Sequence, residues 1–232
     1  MKIARSIKHK IKKKIIGSGL GPLYEMEILS ELFRLGKWIK NNKTAKYFKS
    51  RFDLYRYVND EILNDAAIDY FEFGVYKGAS LKAWTEINKN SKSRFFGFDS
   101  FKGLPEKWKM FSSSFPKGTF DTKGGTPLLK ECRVNLIKGH FQDTLGEFLN
   151  KFVPKNQIII HIDADLYTSS LYVLTYMDEY LTPGAIIIFD EFSSAHNEFK
   201  SFINYAEAYK KEYEVIGAVN TIYDKVAVRI TK

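Results

Sequence analysis

From Ala67 onward, short and nearly continuous apolar runs alternate with longer segments whose apolar residues recur at helical spacing. The dense runs are Ile68–Phe73, Arg94–Asp99, Val134–Lys138, Ile158–Ile162 and Ala185–Phe189, and they predict buried strands. Between them, Ser80–Asn88, Thr144–Phe152 and Ser169–Tyr180 predict helices, and Glu198–Lys211 predicts a last one. After that helix, "YEVIGAVNT" and "DKVAVRIT" alternate with period two and lie close enough to pair antiparallel. Strands alternating with helices imply βαβ units and a parallel sheet. The expected fold is therefore α/β: a mostly parallel seven-stranded sheet with helices on both faces and an antiparallel pair at its C-terminal edge.

The first 66 residues follow another pattern. Ile3, Ile7, Ile11 and Ile15 form a narrow helical stripe among lysines, broken by Gly17, Gly19, Gly21 and Pro22. Such a stripe suits a solvated helix or an arm that reaches a second copy, giving a homo-oligomer. Its sharper alternative is weak contact with an anionic membrane surface. Residues 23–64 read as helical, with polar breaks near Asn41–Asn42 and at Ser50. Leu29, Leu32 and Phe33, and then Tyr55, Val58 and Ile62, are expected to face the core. The chain divides into a basic helical segment, 1–65, packed on a catalytic domain, 66–232.

Charge sharpens this division. The net charge is +9, but residues 1–50 carry 13 Lys/Arg and 3 acids, and residues 51–232 carry 23 and 24. The main body is close to neutral, which argues against a nucleic-acid partner. The single cysteine, Cys132, permits no internal disulfide and reads as a buried thiol. No run reaches the ~18 apolar residues of a membrane span. The basic start has no apolar core of a secretory signal, and the expected location is the cytoplasm.

In open α/β sheets, ligands bind beyond the carboxyl ends of the strands. The first strand is followed there by Glu72, Gly74, Tyr76, Lys77, Gly78 and Ser80. Glycines allow close backbone approach and positive φ, and the next helix offers free N–H groups. Asp99 ends the second strand, 27 residues beyond Glu72, where an acid accepts hydrogen bonds from ribose hydroxyls. Gln142 and Asp143 open the helix after the third strand; one of them is a candidate for an adenine edge, and Asp143 or Thr144 for a plain helix cap. Asp163 and Asp165 end the fourth strand, and Asp190 and Glu191 the fifth. Carboxylates at neighbouring strand tips suit a hard divalent ion such as Mg²⁺.

The ordered set "FEFGVYKGAS", "GFDSFKGLPE", "GHFQDTL", "HIDADLYTS" and "GAIIIFDEF" resembles the macrocin O-methyltransferase family across residues 66–232. These are Rossmann-like class I S-adenosylmethionine (SAM)-dependent enzymes that methylate sugar hydroxyls. The resemblance implies a SAM site at Glu72, Gly74, Lys77, Gly78, Asp99, Ser100 and Gln142, next to Tyr76, Ser80 and Asp163. It implies Mg²⁺ ligation by Asp163, Asp190 and Glu191. The chain departs from the family in having Glu191 where a second aspartate is common, in a shortened segment between Lys102 and Cys132, and in its short basic N-terminus.

Methyl transfer is an in-line displacement, so alignment and acceptor deprotonation are the main tasks. Asp163 and Asp165 are candidate bases, with His196 in the polar "SSAHNE" loop and His161 in its apolar strand as further ones. His161 also reads as a satisfied core histidine, and His196 as an exposed loop residue. The stretch "KMFSSSFPKGTFDTKGG" reads as a flap anchored by Phe111, Phe115 and Phe120. The expected partner is a small-molecule or glycan acceptor. A metal-dependent glycosyltransferase using Asp163-Ala164-Asp165 is the alternative reading, and a nucleic-acid methyltransferase a weaker one.

Overall fold

All seven predicted strands form in the computed structural model, which describes residues 24–44, 46–111 and 113–232. An eighth strand corrects the count. The elements are α1 (Tyr24–Asn41), β1 (Tyr47–Phe48), α2 (Arg51–Tyr57), β2 (Ile68–Phe73), α3 (Ala79–Ile87) and β3 (Arg94–Asp99). A two-strand hairpin follows, β4 (Trp108–Lys109) and β5 (Ser114–Phe115). Then come β6 (Val134–Lys138), α4 (Phe141–Leu149), β7 (Gln157–Ile162), α5 (Tyr167–Tyr176), β8 (Ile186–Phe189), α6 (Lys200–Tyr209), β9 (Tyr213–Val219) and β10 (Lys225–Ile230). The main sheet runs β1-β9-β10-β8-β7-β2-β3-β6. β10 is antiparallel to both β8 and β9, and β1 adds to the outer edge, parallel to β9. Only two residues long, β1 carries too little periodicity to be read from sequence.

Each central strand feeds two cores, which explains why its run is apolar throughout. Phe71 and Phe73 of β2 join Phe96, Phe98, Ile160, Ile162, Ile187 and Phe189 on one face. Ile68 and Tyr70 join Phe95, Ile159, Ile186 and Ile188 on the other. Burying one such side chain contributes about 1.5–3 kcal/mol. The alternation also aims Glu72 and His161, one strand apart, into the interior.

The N-terminal segment packs differently from expectation. Ser50 caps α2 by accepting from Asp53 N at 3.2 Å, so the polar break is a helix start. Tyr55 and Val58 are buried as predicted. On α1, however, Ile28, Leu35 and Trp38 face inward, while Leu29 and Phe33 are 45% and 70% exposed. Trp38 sets this rotation: its ring meets Phe192, Phe199 and Tyr223, and its Nε1 donates to Tyr213 Oη at 2.7 Å. Cys132 is exposed, not buried, because it sits in the turn before β6, between Glu131 and Arg133, which pair with each other. The α4 helix starts at Phe141, before the expected Thr144, with His140 as its cap residue. The isoleucine stripe of residues 3–15, and its membrane or second-copy contact, lie outside the described residues. No helix among the described residues is long and apolar enough to cross a membrane.

Candidate active site

The site is built where β2 and β7 end side by side. Gly74 follows β2 with φ +99°, and a Cβ on it would lie 1.8 Å from the Asp163 carbonyl oxygen. Only glycine lets the two tips run this close. Gly78, also at positive φ, starts α3, and no side chain caps that helix. Ala79 and Ser80 in its first turn line a cavity of about 280 Å³. Free N–H groups at such a helix start suit a carboxylate or phosphate.

Gly74, Tyr76, Lys77, Ser80, Asp99, Ser100, Gln142, Asp163, Asp165, Asp190 and Glu191 all line this cavity. Asp99 pins the glycine turn: its Oδ2 accepts from Val75 N at 2.9 Å and Tyr76 N at 2.7 Å, and its Oδ1 from Phe101 N at 2.7 Å. Oδ1 keeps a second lone pair for a ligand, whereas Oδ2 uses both of its own on the turn. Glu72, Gly78 and His196 are not in the lining. Glu72 sits fully buried behind the turn, where its Oε1 accepts from Ser80 Oγ at 2.9 Å and its Oε2 from Tyr70 Oη at 2.6 Å. His196 lies on a wide turn before α6 beside Asn197, 3.4 Å away, and burial lowers its pKa from the usual value.

Opposite the glycine turn, acids outnumber cations. Asp165 is buried with φ +59°, a strained conformation for a non-glycine residue. Burial, with Glu191 and Asp190 nearby, pushes its carboxyl up to about 7. Burial, reinforced by Asp190 and Asp224 and opposed by Lys225, also takes Glu191 to about 7. Burial and the Asp190 charge raise Asp163 well above the carboxylate range. Asp190 goes the other way. Burial would raise it, but the nearby His161, Lys225 and Arg51 groups hold it low. Arg51 Nη1 donates to Asp190 Oδ2 at 3.2 Å, and Lys225 Nζ lies 3.3 Å from that oxygen and 3.9 Å from Glu191 Oε1. Glu198, fully buried, accepts from Glu191 N at 2.9 Å, and its Oε1 has no hydrogen-bond partner among the described residues.

This donor set fits a hard divalent cation. Asp163, Asp190 and His161 each bring a ligand atom within 4.8 Å of the others. His161 is the poorer donor, since both its nitrogens meet tyrosine hydroxyls. Its burial lowers the ring pKa, but the Asp190 and Glu72 carboxylates, 3.8 and 3.6 Å away, take it up to about 9. The Asp163, Asp190 and Glu191 oxygens remain, among five acids faced by Arg51, Lys225 and His161. A divalent ion would balance that excess.

Residues 71–192, more than half of the chain, match the family model described as a methyltransferase domain. The chain belongs to this methyltransferase family. No curated protein matches its sequence. Solved structures share its fold. The O-methyltransferase NovP is 20% identical, with 78% of this chain and 80% of that one covered at a TM-score of 0.59. The calicheamicin methyltransferase CalS11 is 19% identical over 88% and 92%, at 0.58. A Bacillus cereus O-methyltransferase in complex with SAH is 14% identical over 94% and 96%, at 0.52.

Other residues of the methyltransferase site escape sequence reading. Arg51 enters from the start of α2 and Lys225 from the antiparallel β10, neither of them a strand-tip position of the parallel sheet. Their only sequence signal is a lone basic residue beside an apolar run. The expected flap is a hairpin: Trp108 stacks on Phe115 at 5.0 Å and clusters with Leu104 and Leu166. Phe120 packs on Tyr76 at 5.5 Å, and Phe111 is exposed instead of anchored.

Proposed function

We propose that this methyltransferase transfers a methyl group from SAM to a hydroxyl of a sugar, with Mg²⁺ or a similar ion as helper. The finer resemblance to macrocin O-methyltransferases belongs to this proposal. One observation carries it: a cavity with a glycine turn and ribose-type acid on one wall and the Asp163, Asp165, Asp190 and Glu191 carboxylates on the other. Among the fold's neighbours, CalS11 is described as a TDP-rhamnose 3'-O-methyltransferase.

SAM would supply an electrophilic methyl on a sulfonium. The start of α3 and the Gly74–Gly78 turn would hold its amino-acid end, Asp99 and Ser100 its ribose, and Gln142 its base edge. A divalent ion on Asp163, Asp190 and Glu191 would orient two vicinal acceptor oxygens and lower the pKa of one of them. Asp165, poised in the cavity wall, would take the acceptor proton. Arg51 and Lys225 fix Asp190, and the Trp108 hairpin excludes water. A glycosyltransferase use of Asp163-Ala164-Asp165 leaves the methyltransferase family match and the glycine turn without a role.

Calorimetric titration with S-adenosylhomocysteine (SAH), with and without Mg²⁺, tests this reading without the acceptor. Micromolar binding that Asp99→Ala abolishes is the expected result, and an acceptor screen over nucleotide-sugars and glycosides follows. Absence of binding in both conditions would overturn it.

A further inference from the structure

His161 lies fully buried in β7, directly opposite Glu72 in the β2–β7 register. Each ring nitrogen meets a tyrosine hydroxyl: Nδ1 is 2.7 Å from Tyr70 Oη, and Nε2 is 3.3 Å from Tyr55 Oη. Behind each hydroxyl stands a carboxylate. Tyr70 donates to Glu72 Oε2 at 2.6 Å, and Tyr55 to Asp190 Oδ1 at 3.4 Å. A phenol has one hydrogen. With the Tyr70 hydrogen directed at Glu72, its oxygen accepts from Nδ1, while the Tyr55 hydroxyl stands between Nε2 and Asp190 and bridges them. The ring thus lies 3.6 Å from Glu72 Oε2 and 3.8 Å from Asp190 Oδ1, with a tyrosine hydroxyl between it and each.

The two ends of this hydrogen-bonded chain serve different walls of the cavity. Glu72 holds the Ser80 hydroxyl in the first turn of α3, on the glycine-turn side. Asp190 ends β8 on the carboxylate side, with Arg51 and Lys225 on its other oxygen. We propose that His161 is a positioning residue that locks the cofactor turn to the acceptor-side carboxylates through Tyr70 and Tyr55. The proposal rests on the SAM site inferred above. Neighbouring parallel strands slide and twist easily at their free tips, where ladder bonds end. A ring hydrogen-bonded on both sides, one residue inside the tip of β7, holds both walls to one geometry, and a buried polar network of this kind specifies arrangement more than it adds stability.

Two measurements decide it. A long-range ¹H–¹⁵N correlation spectrum of the wild-type protein should show the His161 ring held in a single form with Nδ1 protonated, a state that a merely space-filling histidine does not need. The SAH dissociation constant should rise about fivefold to tenfold in His161→Gln, the loss of roughly one hydrogen bond to a charged group, with the circular dichroism spectrum unchanged. An unprotonated Nδ1 in the wild type, or a folded His161→Gln that binds SAH like the wild type, overturns the proposal. Should His161→Gln fail to fold, Tyr70→Phe removes only a hydroxyl from the same chain. It should weaken SAH binding, and wild-type affinity there overturns the proposal as well. Wild-type protein that binds no SAH sinks the SAM reading instead, and the nitrogen signals then decide the linkage alone.

Discussion

Gly74 has the least freedom of any residue in the site. An alanine there would need a positive φ and would drive its methyl into the Asp163 carbonyl. Gly74→Ala should therefore lower unfolding free energy by more than about 2 kcal/mol and weaken SAH binding at least ~10-fold, as read by urea denaturation and calorimetry; unchanged stability would refute the packing account. Asp69 is the opposite case, a buried acid with every oxygen used. It accepts from Arg94 Nε and Nη2 at 2.8 and 2.6 Å, from Lys155 N at 2.8 Å and from Asn156 Nδ2 at 2.8 Å. Burial would raise its pKa, but the Arg94 and Asn156 bonds and the backbone amides outweigh it and hold it below the usual 3.8. A carboxyl lowered on folding stabilises fully above its unfolded value and loses that contribution as pH falls through its folded value. Asp69→Asn should cost about 2–4 kcal/mol at pH 7 and flatten the fall in stability below pH ~4. Denaturation curves at pH 7 and pH 3 check this: an equal loss at both would exclude the ion pair as the cause.

Among the elements, the parallel strands were the most legible. Ile68–Phe73 and Arg94–Asp99 begin and end where their apolar runs do, because those runs are bounded by turn residues and buried on both faces, and Val134–Lys138 keeps its expected bounds although, as the edge strand, it has no fully buried residue. Helix faces were less legible. Leu29 and Phe33 share a stripe with Leu32, yet the stripe that docks is set by Trp38, whose aromatic partners come from residues more than 150 positions away. Asp143 and Thr144 looked like a cap because both residue types cap well, but α4 starts earlier. The hairpin of β4 and β5 gives a prediction at this scale. Trp108 is its one deeply buried anchor, against Phe115, Leu104 and Leu166. Trp108→Ala should raise trypsin cleavage at the exposed Lys117 and Lys123 about 10-fold while the melting temperature falls only a few degrees, since local opening and global unfolding are separate events. Equal cleavage of variant and wild type would show that the hairpin is held elsewhere.

For the molecule as a whole, the candidate site was legible wherever topology puts it at a parallel strand tip, and illegible wherever a residue arrives from outside that scheme. Asp99, Asp163 and Asp190 were foreseen; Arg51, Lys225 and Glu198 were not, because their roles exist only after α2, β10 and the turn before α6 dock. The acid excess at the tips makes a global prediction. Asp163→Asn and Asp190→Asn should each weaken Mn²⁺ binding by at least ~10-fold, read by calorimetry on the purified protein. A Mn²⁺ affinity equal to wild type in both would remove these oxygens from the ion's shell. The sheet order has a consequence of its own. From β2 at the centre, the chain builds outward through β3 and β6, then returns to lay β7, β8 and β10 on the other side. The two walls of the cavity are thus made by separate stretches of chain, synthesised one after the other. A nascent or truncated chain holding only the first stretch lacks Asp163, Asp190, Glu191 and Lys225, and with them a whole wall. The fold is in this sense its own completeness check, since the cavity is whole only after the last strands have closed the sheet.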